Sequence, residues 1–341
     1  MPELDRARKC VVYIGLLTES GNFVPYGTGF LMSIFHEEIQ FDYVITCHHI
    51  IQMFDDDNTW IRVNLNTGDC EVMAVPKNLW FNDIKNDISV FSRHFGRDKY
   101  SVTRIIDKNI NTLLDRIKAD QEPPIAIGWR IFLVGLLTSH YGNVHNTPIL
   151  RMGHIAALPD EQEPIDTDTG FVKAYLIETR SIGGLSGSPV FHFDAWCGYD
   201  MQYPIPGGLL EACFLGMMRG RFNTKDPNDV VRSEIQSDKE LKEIIDQLTP
   251  ELKKAFLGLM GKRFLVDDIN TGIGIVIPAD VIVEFINQPA FVAQREETVK
   301  ELKKKTHYRN SAATPDTENP RHKEDFNSLV SAATKKKLQD D

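Results

Sequence analysis

The chain has 341 residues, 42% of them hydrophobic and 25% charged, with a formal net charge of −10. That much apolar material builds a sizeable core with room for more than one compact unit, while the acidic balance argues against nucleic acid, which needs a basic face. No stretch approaches the roughly 20 apolar residues of a membrane helix, the charged opening segment precedes only a short apolar run, and five widely spaced cysteines suit reduced thiols rather than a disulfide framework or a zinc site; a cytoplasmic protein away from membranes is expected.

From residue 9 to about 220 the pattern is mostly strand. Short β-branched and aromatic runs alternate with Gly, Asn and Asp turn signals. The runs are 10–17, 28–35, 41–46, 60–65 and 70–75, the last two bracketing the turn Asn66-Thr67-Gly68-Asp69. Further runs follow at 129–137, 148–158, 171–179, 187–193 and 213–220. Many short strands without intervening helices predict an all-β sandwich or barrel. Residues 223–262 break this pattern. Ser237-x-x-Glu240 has the form of a capping box, and Leu241, Ile244, Ile245 and Leu248 follow at helical spacing. Thr249-Pro250 opens a second helix, closed by Gly261. A strand at 272–278 and a helix at 279–287 come next. Residues 298–341 are charged, poor in large apolar side chains, and read as a disordered tail.

Three clusters carry chemistry. In Gly183-Gly184-Leu185-Ser186-Gly187-Ser188-Pro189-Val190 a glycine-rich turn folds tightly around Ser186 before a strand. Such a turn lets the N–H groups of Gly184 and Ser186 converge where a tetrahedral oxyanion would sit. Val44-Ile45-Thr46-Cys47-His48-His49 ends a strand in T-x-x-H, which selects His49 over His48 as a general base. Asp87, ahead of Ile88-Ser89-Val90-Phe91, is placed to orient that imidazole. Each cluster alone has an ordinary structural reading: a hairpin with an exposed serine, a packed histidine pair, a turn aspartate. Together they stand in the order His, Asp, Ser, which separates them from the subtilisin and α/β-hydrolase orders. Adjacent histidines without a third ligand make a poor metal site, so neither metal nor cofactor is expected.

The same residues resemble the trypsin-like serine peptidase superfamily, in the style of its bacterial HtrA-type branch. Gly27-Thr28-Gly29-Phe30 resembles its G-[ST]-G-F strand, Thr46–His49 its T-x-x-H, and Asp87–Val90 its D-[IL]-A-[VL]. Gly184–Pro189 resembles G-x-S-G-[GS]-P, Phe214–Met217 the strand after the serine, and Gly272–Pro278 the closing segment. The resemblance implies two packed six-stranded antiparallel β-barrels over residues 9–290, an N-terminal one at about 9–120 and a C-terminal one at about 121–290, with the helical insertion at about 223–262 and a C-terminal helix added. It implies a serine endopeptidase with Ser186 as nucleophile, His49 as base and Asp87 as orienting acid, acting on protein or peptide. Ser188 replaces the commoner glycine. Leu185 stands where trypsins carry the aspartate that pairs with a newly released N-terminus, so activation by that route is not expected. No PDZ-like region follows residue 290. Arg180, Arg219 and Arg221 fall near the implied specificity pocket, where they would favour an acidic substrate residue. The alternative is a silent or latent module of the same fold, binding a protein partner at 223–262.

Overall fold

The computed structural model describes residues 2–54, 57–106, 125–167, 169–179, 184–192, 214–221 and 272–312. The helical insertion predicted at 223–262, Arg180 and Gly183 lie outside these residues, as does the tail beyond 312.

The chain begins with helix α1 (Pro2–Lys9). Strands β1 (Val11–Leu17), β2 (Phe23–His36) and β3 (Ile39–Cys47) follow, then a single helical turn, α2 (His48–Gln52). Next come β4 (Asn58–Asn64), β5 (Cys70–Pro76), β6 (Phe81–Asp83), β7 (Ile88–Ser92) and the two-residue β8 (Ile105–Ile106). The second half holds β9 (Arg130–Gly135), β10 (Ile149–Ala157), β11 (Ile165–Thr167), β12 (Gly170–Val172), β13 (Tyr175–Glu178), β14 (Pro189–His192), β15 (Phe214–Arg221) and β16 (Ile273–Pro278). Helices α3 (Ala279–Ile286) and α4 (Pro289–Ala312) end it.

Among the described residues the first half is an eight-stranded sheet in the order β5-β4-β1-β2-β3-β7-β6, with β8 added in parallel to β2. The second half is a closed six-stranded barrel, β10-β13-β16-β15-β14-β9. Strands β11 and β12 form a separate hairpin. The fold is therefore all-β, one closed barrel beside a larger sheet, in keeping with the expected trypsin-like double barrel. The first half differs from the expected six antiparallel strands by its extra strands and its one parallel pair. The run at 171–179 is two strands, β12 in the hairpin and β13 in the barrel, because residues 173–174 leave the ladder.

Phe30 from β2 meets Phe214 from β15 with ring centroids 5.4 Å apart, and Phe191 from β14 joins them. Apolar surface is thus buried between the halves as well as within each. The terminal segments fasten one half to the other. Arg8 of α1 donates from Nε to the Pro148 carbonyl at 3.0 Å, just ahead of β10. Helix α4 follows the second barrel yet packs on the first half: Phe291 lies against Tyr43 of β3 and Phe81 of β6. Arg295, buried, donates to Tyr43 Oη at 3.0 Å and to the Ile286 carbonyl at 2.9 Å. This corrects the reading of residues 298–312 as disordered tail. Val299 and Leu302 continue the buried stripe of α4, and two apolar side chains at helical spacing hold a segment whose bulk composition is that of a solvated chain. Among the described residues no helix is long and apolar enough to cross a membrane.

One buried ion cluster braces the first half. Asp42 on β3 accepts from Ser33 Oγ and Gln40 Nε2, each at 2.7 Å, and from Arg104 Nε at 2.7 Å, with His94 Nδ1 at 2.9 Å. Burial pushes the Asp42 carboxyl up, but the His94 hydrogen bond and the Arg104 charge outweigh it and hold the group below its ordinary value. The stability it contributes is whole above the unfolded carboxylate value of about 4 and is lost as pH falls through the lower folded value. Asp42→Asn leaves Arg104 buried without its counter-charge, at a cost of about 3–5 kcal/mol. Urea unfolding near neutral pH measures that loss, and the acid-unfolding curve of the variant should flatten.

Candidate active site

The site forms where β3 runs out. The strand ends at Cys47, and α2 turns His49 outward, so its side chain is 40% exposed while Ile50 and Ile51 of the same turn are buried. Asp87, 2% exposed, precedes β7, the neighbour of β3 in the sheet. Its backbone is left-handed, φ 56°, a region that Asp tolerates better than most residues. The turn before it is set by Asp83, which accepts from the Asn86 amide at 3.1 Å and from Asn86 Nδ2 at 2.7 Å.

The carboxylate of Asp87 grips His49 at two points. Oδ1 accepts the His49 backbone N–H at 2.8 Å and Oδ2 meets ring Nδ1 at 2.7 Å. An ionised carboxylate only accepts, so Nδ1 carries the proton and Nε2 is left as the basic nitrogen. His48 turns elsewhere. It is buried, and its Nδ1 lies 3.1 Å from Ser89 Oγ, which itself donates to Asn82 at 2.6 Å.

The serine turn is pinned to this corner by backbone. Thr28 N–H donates to the Ser186 carbonyl at 2.9 Å. Thr28 Oγ1 donates to the Gly184 carbonyl at 2.7 Å and accepts from the Leu136 amide at 2.9 Å. Thr46 Oγ1 donates to the Thr28 carbonyl at 2.7 Å. The Met218 carbonyl on β15 receives the Gly187 N–H at 2.7 Å and the Cys47 thiol at 3.4 Å, so the serine turn and the end of the histidine strand meet on one backbone atom. Gly187 stands at φ 81°, and a Cβ there would lie 1.9 Å from the Thr28 carbonyl oxygen. Gly184, at φ 96°, is held less tightly: a Cβ there would lie 2.9 Å from Leu136 Cγ. Ser188 fits, fully buried, because Gly135 faces it: a Cβ on Gly135 would meet Ser188 Oγ at 1.9 Å. Leu185, where trypsins carry an aspartate, is buried in the core of the second barrel.

The three arginines singled out in the sequence separate. Arg180 is outside the described residues. Arg221 is exposed at the end of β15. Arg219, expected beside the specificity pocket, is instead 6% exposed and turned to the back of the His49–Asp87 pair. Its Nε lies 3.4 Å from Asp87 Oδ2, and its Nη2 donates to Thr169 Oγ1 at 3.0 Å. Thr169 in turn donates to the Lys85 carbonyl at 3.0 Å. The β11–β12 hairpin thus ties Arg219 to the loop that carries Asp87.

Cys47, His49 and Asp87 also bring their ligand atoms within 4.8 Å of one another. Burial, reinforced by the Asp87 carboxylate, pushes the Cys47 thiol well above its ordinary value, so it resists becoming the thiolate a metal needs. With a guanidinium beside Asp87 as well, the cluster suits a hydrogen-bonded pair better than a divalent ion.

Sequence reasoning missed the work of two residues. Thr28 was noted only as part of a motif; a hydroxyl inside an otherwise apolar strand was the signal that it holds something. Arg219 carried no signal of its direction.

No protein-family model matches the chain, and no curated protein matches it. Among solved structures, the apo MamO protease domain from Magnetospirillum magneticum aligns at 13% identity and a TM-score of 0.44, over 82% of this chain and 97% of that one. Human heparin binding protein aligns at 12% identity and a TM-score of 0.34, over 64% of this chain and 82% of that one.

Proposed function

We propose that this chain is a serine endopeptidase of the HtrA-type style, acting on protein or peptide in the cytoplasm. The observation that carries the reading is the two-point grip of Asp87 on His49 beside a serine turn that three separate backbone bonds hold in place. In the reaction, Ser186 Oγ attacks the scissile carbonyl carbon while His49 Nε2 takes the hydroxyl proton. The Gly184 and Ser186 amides receive the oxyanion. The C–N bond breaks as His49 returns the proton to the leaving amine. Water, deprotonated by His49, then opens the acyl-enzyme and restores Ser186. Arg221 at the edge of β15 and Arg180 remain candidates for drawing an acidic substrate residue.

A fluorophosphonate probe tests this directly. Wild-type protein should label, and Ser186→Ala and His49→Ala should each abolish labelling. Folded wild type that does not label would favour the second reading, a latent or silent module that docks a partner through residues 223–262. The shared claim of Arg219 on Asp87 is the observation that keeps this reading open.

A further inference from the structure

The His49–Asp87 pair has a third member. Oδ2 of Asp87 meets His49 Nδ1 at 2.7 Å on one side and Arg219 Nε at 3.4 Å on the other. Both Asp87 and Arg219 are almost entirely removed from water, where charges act on one another at greater strength than at a surface. Nearby titratable groups include Cys47 and His48 from β3 and α2, and Asp83 and Lys85 from the loop before Asp87. Cys47 stays a thiol, His48 bonds to Ser89, and Asp83 is bound to Asn86. Lys85 contributes its carbonyl to Thr169. Arg219 sets a permanent positive charge against the carboxylate.

We propose that Arg219 is a positioning residue that shares Asp87 with His49 and thereby sets the acid limb of the site's pH profile. A protonated His49 is stabilised by the negative charge of Asp87. A guanidinium on the same oxygen offsets part of that charge and repels the imidazolium. Through Thr169, the β11–β12 hairpin holds the guanidinium at this distance. The inference rests on the peptidase reading for its consequence but not for its physics, because His49 can be followed whether or not Ser186 reacts.

The test follows the protonation of His49 by NMR and, in parallel, the rate of fluorophosphonate labelling across pH, in wild type, Arg219→Lys, Arg219→Gln and Arg219→Met. Removing the charge should move the His49 transition, and the acid limb of labelling with it, to higher pH by about one unit, a tenfold change in proton affinity. Arg219→Lys, which keeps the charge, should stay near wild type. Glutamine and methionine fill the space differently, so whichever variant folds can be read. An unmoved or lowered transition in a folded uncharged variant overturns the proposal, and so does a lysine variant that shifts as far as glutamine. A wild type that never labels, with the His49 shift intact, removes the peptidase reading and leaves the role of Arg219 standing.

Discussion

Asp87→Asn should be both inactive and poorly stable. The loss of labelling follows from the tautomer. An amide in place of the carboxylate no longer compels His49 to carry its proton on Nδ1, and it offers the imidazolium no charge; in the chymotrypsin-type triad this substitution lowers kcat by about 10⁴. The loss of stability is specific to this chain. Arg219 lies 3.4 Å from Asp87 Oδ2, and both residues are buried. Removing the carboxylate takes away a counter-charge that the buried guanidinium faces, which costs stability. Equilibrium unfolding in urea measures that term separately from labelling. Combining Asp87→Asn with Arg219→Gln should restore part of the stability and none of the labelling, since the guanidinium that faced the carboxylate is gone but the tautomer is still unset. Additive losses in the double variant would show that Arg219 and Asp87 are not coupled, because independent sites add.

What the sequence disclosed, and what it did not, follows from how local each feature is. The strand runs were legible because alternating apolar side chains and turn residues are local signals. The Asn66–Asp69 turn between β4 and β5 is one case: Leu65 donates to the Asp69 carbonyl as a hairpin requires. His49, Asp87 and the Ser186 turn were legible because short backbone motifs define them. The direction of Arg219 was not. Residues on a strand alternate faces, but β15 slips register against β16 between Met218 and Gly220, and a slip of one residue reverses which face a side chain takes. Helix α1 was missed because a short, mostly charged segment buries little beyond Ala7. The end of α4 was missed for a related reason: Val299 and Leu302 are too few to change the composition of the segment, yet enough to seat it on the first half.

Gly187→Ala should damage the site more than any other single methyl group added around the serine turn. Two costs combine. The left-handed backbone at φ 81° penalises any residue with a Cβ by about 1–2 kcal/mol. The added carbon would also lie 1.9 Å from the Thr28 carbonyl oxygen and 2.7 Å from Thr46 Oγ1. Neither neighbour is free to yield: the Thr28 carbonyl already accepts from Thr46, and its amide donates to Ser186. Overpacking at such a place costs about 1–3 kcal/mol more. To make room, the turn must draw away from β2, lengthening the Thr28–Ser186 bond and displacing Ser186. A displacement of about 1 Å is enough to lower reactivity by about 10²-fold. Gly21 is the control. It has nearly the same backbone angle, φ 80°, but nothing lies within 4 Å of a Cβ there. Gly21→Ala should therefore carry the backbone penalty alone and label like wild type. If Gly187→Ala did the same, the serine turn would be looser than its hydrogen bonds imply, and the reactivity of Ser186 would have to come from somewhere other than its anchoring on Thr28.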